Sequence, residues 1–266
     1  VAIEHRLTNL GRADVMEIIG HRGASFDAPE NTLASFRRGW EQHADAVELD
    51  IRQTKDGRIV VIHDQDTQRV TGVNRLVEEQ TLEEIRQLDA GVWKDSRWVG
   101  EKVPLLSEAL ALVPAGKRLF IEVKCGIAVV PELVREIHAA NQQPTQTVVI
   151  GFCSKTMAAV KSLLPAVEVY LVANISQRDA SQAIPSPSIE DLLQRAIHSG
   201  IDGLNLSACK LIDKSFVDHV TRRGLKLAVW TVNDPTIARE MMDAGVQSLA
   251  SDRPGFIRDQ LALPFQ

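Results

Sequence analysis

The chain has 266 residues, of which 44% are hydrophobic, 24% charged and 5% aromatic, and its formal net charge is −5. This is the composition of an ordinary globular protein, and it excludes disorder, collagen-like repeats and nucleic-acid binding, which wants a basic face and aromatic platforms. No apolar run approaches the roughly 18 residues that a membrane helix needs.

Residues 1–15 have early acids and no apolar run, so they are expected to form an arm ahead of the first strand rather than a secretory leader. Short runs rich in Val, Ile and Leu then recur at 17–20, 46–51, 119–123, 148–152, 167–173, 203–206, 226–231 and 247–250. Continuous apolar runs of this length suit strands buried on both faces of a parallel sheet. Helix-like segments separate most of them, at 32–43, 131–141, 154–164, 189–199, 213–223 and 235–244. Gly200, Gly224 and Gly245 stand where helices would stop, and Asp213 and Asp234 where they would start, the latter ahead of Pro235. Strand followed by helix about eight times in some 250 residues predicts a TIM (β/α)₈ barrel. No GxGxxG follows the first strand, so a dinucleotide-binding open sheet lacks its fingerprint. One segment breaks the alternation. Asp56-Gly57 between two β-like runs predicts a hairpin, and residues 65–105 read as an insertion with a short helix at 82–88 and a loop bearing Trp93 and Trp98. No linker divides the chain, so 1–266 is read as one domain. Cys125, Cys153 and Cys209 are odd in number and widely spaced, which predicts neither a disulfide framework nor a zinc site and fits a reducing, cytoplasmic setting.

The candidate chemistry collects at strand ends. A two-residue turn at Asp56-Gly57 would place His63 opposite Asp50, and period-two alternation puts Glu48 on the same face. A one-residue slip would break that pairing. Glu122 and Lys124 end another strand two apart, His21 and Arg22 end the first, and Trp230 ends a late one. Polar groups at the C-terminal ends of several strands make the usual barrel active site. Glu48, Asp50 and Glu122 would repel one another without a cation between them, and oxygen-only ligands suit Ca²⁺ or Mg²⁺. Three carboxylates, a divalent cation and a phosphodiester carry two negative charges, which Arg22 and Lys124 would cancel. His21 and His63 can divide the acid and base roles.

These residues stand in longer strings: IGHRGASFDAPENTLASF, AVELDIRQTKDGRIVVIHD, VPLLSEAL, LFIEVK, LAVWTVND and LASDRP. Together, and in order from about Glu17 to Ile257, they resemble the glycerophosphodiester phosphodiesterase family. The resemblance implies a TIM barrel with a small insertion, and metal-dependent hydrolysis of a glycerophosphodiester to an alcohol and sn-glycerol 3-phosphate. It implies His21 and His63 as acid and base and Glu48, Asp50 and Glu122 as metal ligands. Arg22 and Lys124 would contact phosphate, Trp230 the glycerol, and Glu30 and Asn31 would order the site. The chain departs from the family pattern at Leu105, where Thr is common, and at Gly151, where Ser is usual; both lie off the acid, base and metal set.

Two rival readings follow. A lysophospholipase D or sphingomyelinase-D-like activity would need an apolar groove for an acyl chain, for which the insertion and Trp98 are the candidates. A catalytically silent binding barrel would have lost a metal ligand or an acid–base residue, and none of the five is missing. The expected partner is a small molecule, with no nucleic acid and no stable membrane insertion.

Overall fold

The computed structural model describes residues 16–175 and 188–263; the expected arm at 1–15 lies outside them. The strands among these residues are β1 (Glu17–Gly20), β2 (Ala46–Gln53), β3 (Ile59–Val61), β4 (Arg118–Val123), β5 (Thr147–Gly151), β6 (Glu168–Ala173), β7 (Gly203–Ser207), β8 (Lys226–Trp230) and β9 (Ser248–Ser251). Their order is β1-β9-β8-β7-β6-β5-β4-β2-β3, and a further pairing of β1 with β2 closes the sheet. Eight strands are thus parallel and circular, with β3 added antiparallel to the edge of β2. This is the TIM barrel that the strand–helix alternation predicts, with strand limits moved by one or two residues.

The helices are α1 (Leu33–Glu41), α2 (Gln68–Thr71), α3 (Leu82–Gln87), α4 (Leu106–Ala111), α5 (Val130–Ala139), α6 (Ser154–Leu163), α7 (Ile189–His198), α8 (Lys214–Thr221), α9 (Pro235–Ala244) and α10 (Pro254–Ala262). Their starts follow local chemistry. Asp213 accepts from the Phe216 amide and Asp234 from the Thr236 amide, satisfying orphan N–H groups of α8 and α9. Gly245 ends α9 in the left-handed conformation, at φ 91°.

Alternation along each strand divides the apolar residues into two layers. Leu49, Ile51, Ile121, Val123, Leu204 and Leu227 face outward and pack with the helices in the main core. Ile19, Ala46, Phe120, Val148, Ile150, Tyr170, Val172, Ala228 and Ala250 fill the barrel itself. The insertion is not a bare loop. Val70, Val77, Ile85, Ala90 and Val103 pack on Val60 and Ile62 of the hairpin in a small core of their own.

Candidate active site

The carboxylates are placed by strand pairing. In the parallel ladder Asp50 pairs with Glu122 and Glu48 with Phe120, so alternation aims Glu48, Asp50 and Glu122 into one mouth of the barrel. One oxygen from each lies within 4.8 Å of the others, and all three are buried, at 3%, 1% and 8% exposure.

The hairpin corrects the expected register. β2 pairs Ile51 with Val61 and Gln53 with Ile59, so Asp50 lies level with Ile62, whose amide donates to its carbonyl at 2.9 Å. The loop has three residues rather than two. The Thr54 amide donates to the Arg58 carbonyl and the Gly57 amide to the Thr54 carbonyl, and Gly57 closes the loop in the left-handed region at φ 78°. His63 therefore does not reach the site by facing Asp50 across the ladder. It lies past the end of β3, where the Arg52 guanidinium donates to its carbonyl at 2.8 Å, and there it feels the Asp50 charge.

The turn after β1 carries His21 and Arg22. Arg22 and Asn31 both adopt left-handed φ, 54° and 57°, which costs a non-glycine residue roughly 1–3 kcal/mol. Hydrogen bonds hold them there. The Arg22 amide donates to Glu48 Oε2 at 2.9 Å and the Asn31 amide to the Arg22 carbonyl at 3.1 Å. Gly23, at φ 85°, admits no side chain, since a Cβ would stand 2.4 Å from Ser35 Oγ. Asn31 grips Asp50 twice, its amide nitrogen donating to the carboxylate at 2.8 Å and its carbonyl accepting the Asp50 amide at 3.1 Å.

Each histidine has a carboxylate partner on Nδ1. His21 meets Asp252 at 2.7 Å, and Asp252 also accepts from Ser25 and Asn233. His63 meets Asp64 at 2.7 Å. An ionised carboxylate only accepts, so Nδ1 of both rings carries the proton and Nε2 is left for chemistry. Burial works against charge on both rings. For His21 the Asp252 hydrogen bond and the Glu48 charge outweigh burial, and its pKa rises. For His63 burial prevails over Asp50 and Asp64, and its pKa falls.

The cations are engaged with the carboxylates. Arg22 Nη1 donates to Glu30 at 2.8 Å, and its Nε lies 3.2 Å from Asp50 without hydrogen-bond geometry. Lys124 lies 2.5 Å from Glu122 and 3.3 Å from Asp50. Burial tends to raise the Asp50 pKa, but Lys124 and Arg22 overcome it and hold the group ionised. Glu48 gains too little such relief from His21 and Arg22. Burial, reinforced by the Asp50 charge, pushes its carboxyl up to about 8, and Oε1 is buried with no hydrogen-bond partner among the described residues. Burial and Asp50 also raise Glu122. A clustered, oxygen-only donor set with one orphaned oxygen and surplus negative charge fits a hard divalent cation.

Trp230 lines the same mouth. Its indole donates to the Asn205 carbonyl at 3.2 Å, and its ring meets Phe152 edge to face at 6.2 Å between centroids. Lys124 Nζ sits 5.6 Å from the Phe152 ring centre. The structure thus brings together all ten residues singled out from sequence and adds Asp64, Asp252 and Phe152. Asp64 and Asp252 stood inside the strings VVIHD and LASDRP. The β1–β9 ladder, which pairs Gly20 with Ser251, is what sets Asp252 beside His21.

A parallel barrel that collects carboxylates, histidines and cations at the C-terminal ends of its strands defines an enzyme of the (β/α)₈ class built for an anionic substrate. The model of the glycerophosphoryl diester phosphodiesterase family matches residues 21–256. A glycerophosphodiester phosphodiesterase from Caldanaerobacter subterraneus subsp. tengcongensis is 32% identical over 247 residues, 89% of this chain and 94% of that protein. A human lysophospholipase D is 27% identical over 268 residues, 91% of this chain and 85% of that protein. The structure of an Oleispira antarctica phosphodiesterase in complex with the product sn-glycerol-3-phosphate matches with a TM-score of 0.82 at 28% identity, covering 93% of this chain and 97% of that one. The chain belongs to the glycerophosphoryl diester phosphodiesterase family.

Proposed function

We propose that the protein hydrolyses glycerophosphodiesters to an alcohol and sn-glycerol 3-phosphate by general acid–base catalysis between His63 and His21. The observation that carries this reading is the meeting of three buried carboxylates, one with an orphaned oxygen, with two carboxylate-backed histidines and two cations. Glu48, Asp50 and Glu122 would hold Ca²⁺ or Mg²⁺, which when bound polarises a phosphoryl oxygen. Arg22 and Lys124 turn toward the phosphate oxygens once the carboxylates are otherwise occupied, Arg22 as a fork and Lys124 as a point charge. His63, the ring whose pKa burial lowers, takes the proton at Nε2 from the attacking oxygen, that of water in direct hydrolysis. His21, whose pKa the Asp252 hydrogen bond raises against burial, gives a proton to the leaving alcohol oxygen. Glu30 and Asn31 order Arg22 and Asp50, and Trp230 with Phe152 walls the glycerol side.

The test is release of glycerol 3-phosphate from glycerophosphocholine. Activity should vanish with EDTA and return with Ca²⁺ or Mg²⁺. Full activity in His21→Ala or His63→Ala would sink the mechanism.

One observation favours a second substrate. Phe26, 56% exposed, and Trp93 of the insertion flank Lys94 at 6.0 and 5.8 Å, close to the Asp252 side of the mouth, and give an acyl chain apolar surface. A lysophospholipase D or sphingomyelinase-D-like preference would show as faster turnover of lysophosphatidylcholine than of glycerophosphocholine. The insertion at 65–105 belongs with the barrel in one domain, a reading supported by the small core it shares with β3. A cytoplasmic site of action agrees with free Cys125, Cys153 and Cys209. Among the described residues no helix is long and apolar enough to cross a membrane.

A further inference from the structure

Arg69 lies on α2 in the insertion, outside the set of residues described as metal, phosphate or proton-transfer groups. Its guanidinium makes a double clamp. Nε donates to Asp64 Oδ2 at 2.6 Å, while Nη1 and Nη2 donate to the two oxygens of Glu30 at 2.8 Å each. Both partners lead inward. Asp64 holds His63 Nδ1 at 2.7 Å through its other oxygen, and Glu30 holds Arg22 Nη1 at 2.8 Å. One planar group therefore ties the carboxylate that orients the proposed base to the carboxylate that orients the proposed phosphate ligand, across 39 residues of sequence.

The chemistry of the clamp suits that task. Forked, charge-assisted hydrogen bonds are directional as well as strong. Asp64 and Glu30 would repel each other if they approached without a cation, and Arg69 removes the repulsion while filling three carboxylate acceptor positions. The pair is only partly solvent-shielded, with Arg69 at 41% side-chain exposure and Glu30 at 13%, so the core of the barrel does not depend on it.

We infer that Arg69 is a positioning residue of the phosphodiesterase site, fixing His63 through Asp64 and Arg22 through Glu30, so that the insertion sets the geometry of base and phosphate ligand together. This rests on the proposed acid–base reading. It assigns the insertion a task at the site beyond its packing on the hairpin.

The expected signature is a split between kinetic constants. Asp64→Asn should lower kcat chiefly, because it loosens the base. Glu30→Gln should raise KM chiefly, because it loosens Arg22. Arg69→Met should do both, by roughly 10–100-fold in kcat/KM, the usual cost of removing a supporting partner. In the Asp64→Asn/Glu30→Gln background Arg69→Met should add less than about threefold, since groups that act through one network are non-additive. Arg69→Lys keeps the charge but cannot fork, and should recover only part of the loss. An independent reading is the His63 Nδ1–H proton resonance, sharp in the wild type and broadened by exchange in Arg69→Met. Wild-type kinetic constants in Arg69→Met, a loss matched by an equal fall in folded fraction, or full additivity with the double variant would each overturn the inference. An inactive wild type that still shows the Arg69-dependent resonance would count against the substrate alone.

Discussion

The two ends of the barrel both carry clustered charge, half-exposed at one and buried at the other, and they use it in opposite ways. At the N-terminal end the first residues of five strands meet. Arg118 pairs with Glu17 at 3.1 Å and with Glu168 at 2.9 Å, and Lys226 pairs with Glu168 at 2.6 Å. Tyr170 and Ser248 donate to the same carboxylates. Two acids face two bases, and the network closes on itself. At the C-terminal end Glu48, Asp50 and Glu122 face Arg22 and Lys124, three acids against two bases, and Glu48 Oε1 has no partner among the described residues. A balanced plug needs nothing more. An unbalanced one is the place where a cation and an anionic substrate can bind, and the chain bears that imbalance in its buried Glu48.

The largest effect that separates the ends is on rate. His63→Ala and His21→Ala should each lower kcat by about 10²–10⁴-fold, the range for removing a general acid or base, in a glycerophosphocholine assay. Arg118→Met should leave kcat within about twofold while destabilising the fold by roughly 1–2 kcal/mol in urea unfolding, because Glu17 and Glu168 lose their shared cation and keep only Ser248, Lys226 and Tyr170. An Arg118→Met protein that folds normally but turns over slowly would erase the distinction between the two ends.

A subtler test uses pH. The Glu48 carboxyl is raised to about 8, above its ordinary value of 4.5, so the folded metal-free protein holds a proton there that the unfolded chain releases. Its stabilising contribution is complete below pH 4.5 and is lost as pH rises through about 8. Glu48→Gln should therefore gain on the metal-free wild type as pH rises from 5 to 9, by roughly 1–3 kcal/mol at the upper end, the cost of a buried group without a partner. Thermal melts with and without Mg²⁺ check it; the cation should restore the wild type at high pH and do little for Glu48→Gln. The smallest expected effect is at the wall of the mouth. Trp230→Phe keeps the ring packing and loses one hydrogen bond to a backbone carbonyl, worth about 0.5–1.5 kcal/mol, so KM should rise severalfold at most with kcat nearly unchanged.

Much of this site is legible in the amino-acid order alone, for a definite reason. Glu48 and Asp50, like Glu122 and Lys124, are two apart on strands, and period-two alternation alone sends each pair to one face. The same rule leads astray at the hairpin. The ladder is one residue out from the expected register because Lys55-Asp56-Gly57 forms a three-residue loop, and His63 comes near Asp50 only because the chain has left the strand by then.

By itself, then, the sequence determined the strand–helix alternation, the inward faces of β2 and β4 and the identity of the charged groups at the mouth, since all three depend on neighbours within a few residues. Only the tertiary structure decided the partners. Closure of the barrel puts β1 between β2 and β9, and so sets His21 against Asp252 from 231 residues away. The insertion folds back to lay Arg69 on Glu30, and the balanced network at the far end draws on β1, β4, β6, β8 and β9 at once. Such contacts leave no local pattern because their spacing along the chain is set by the path of the fold, not by the periodicity of any one element.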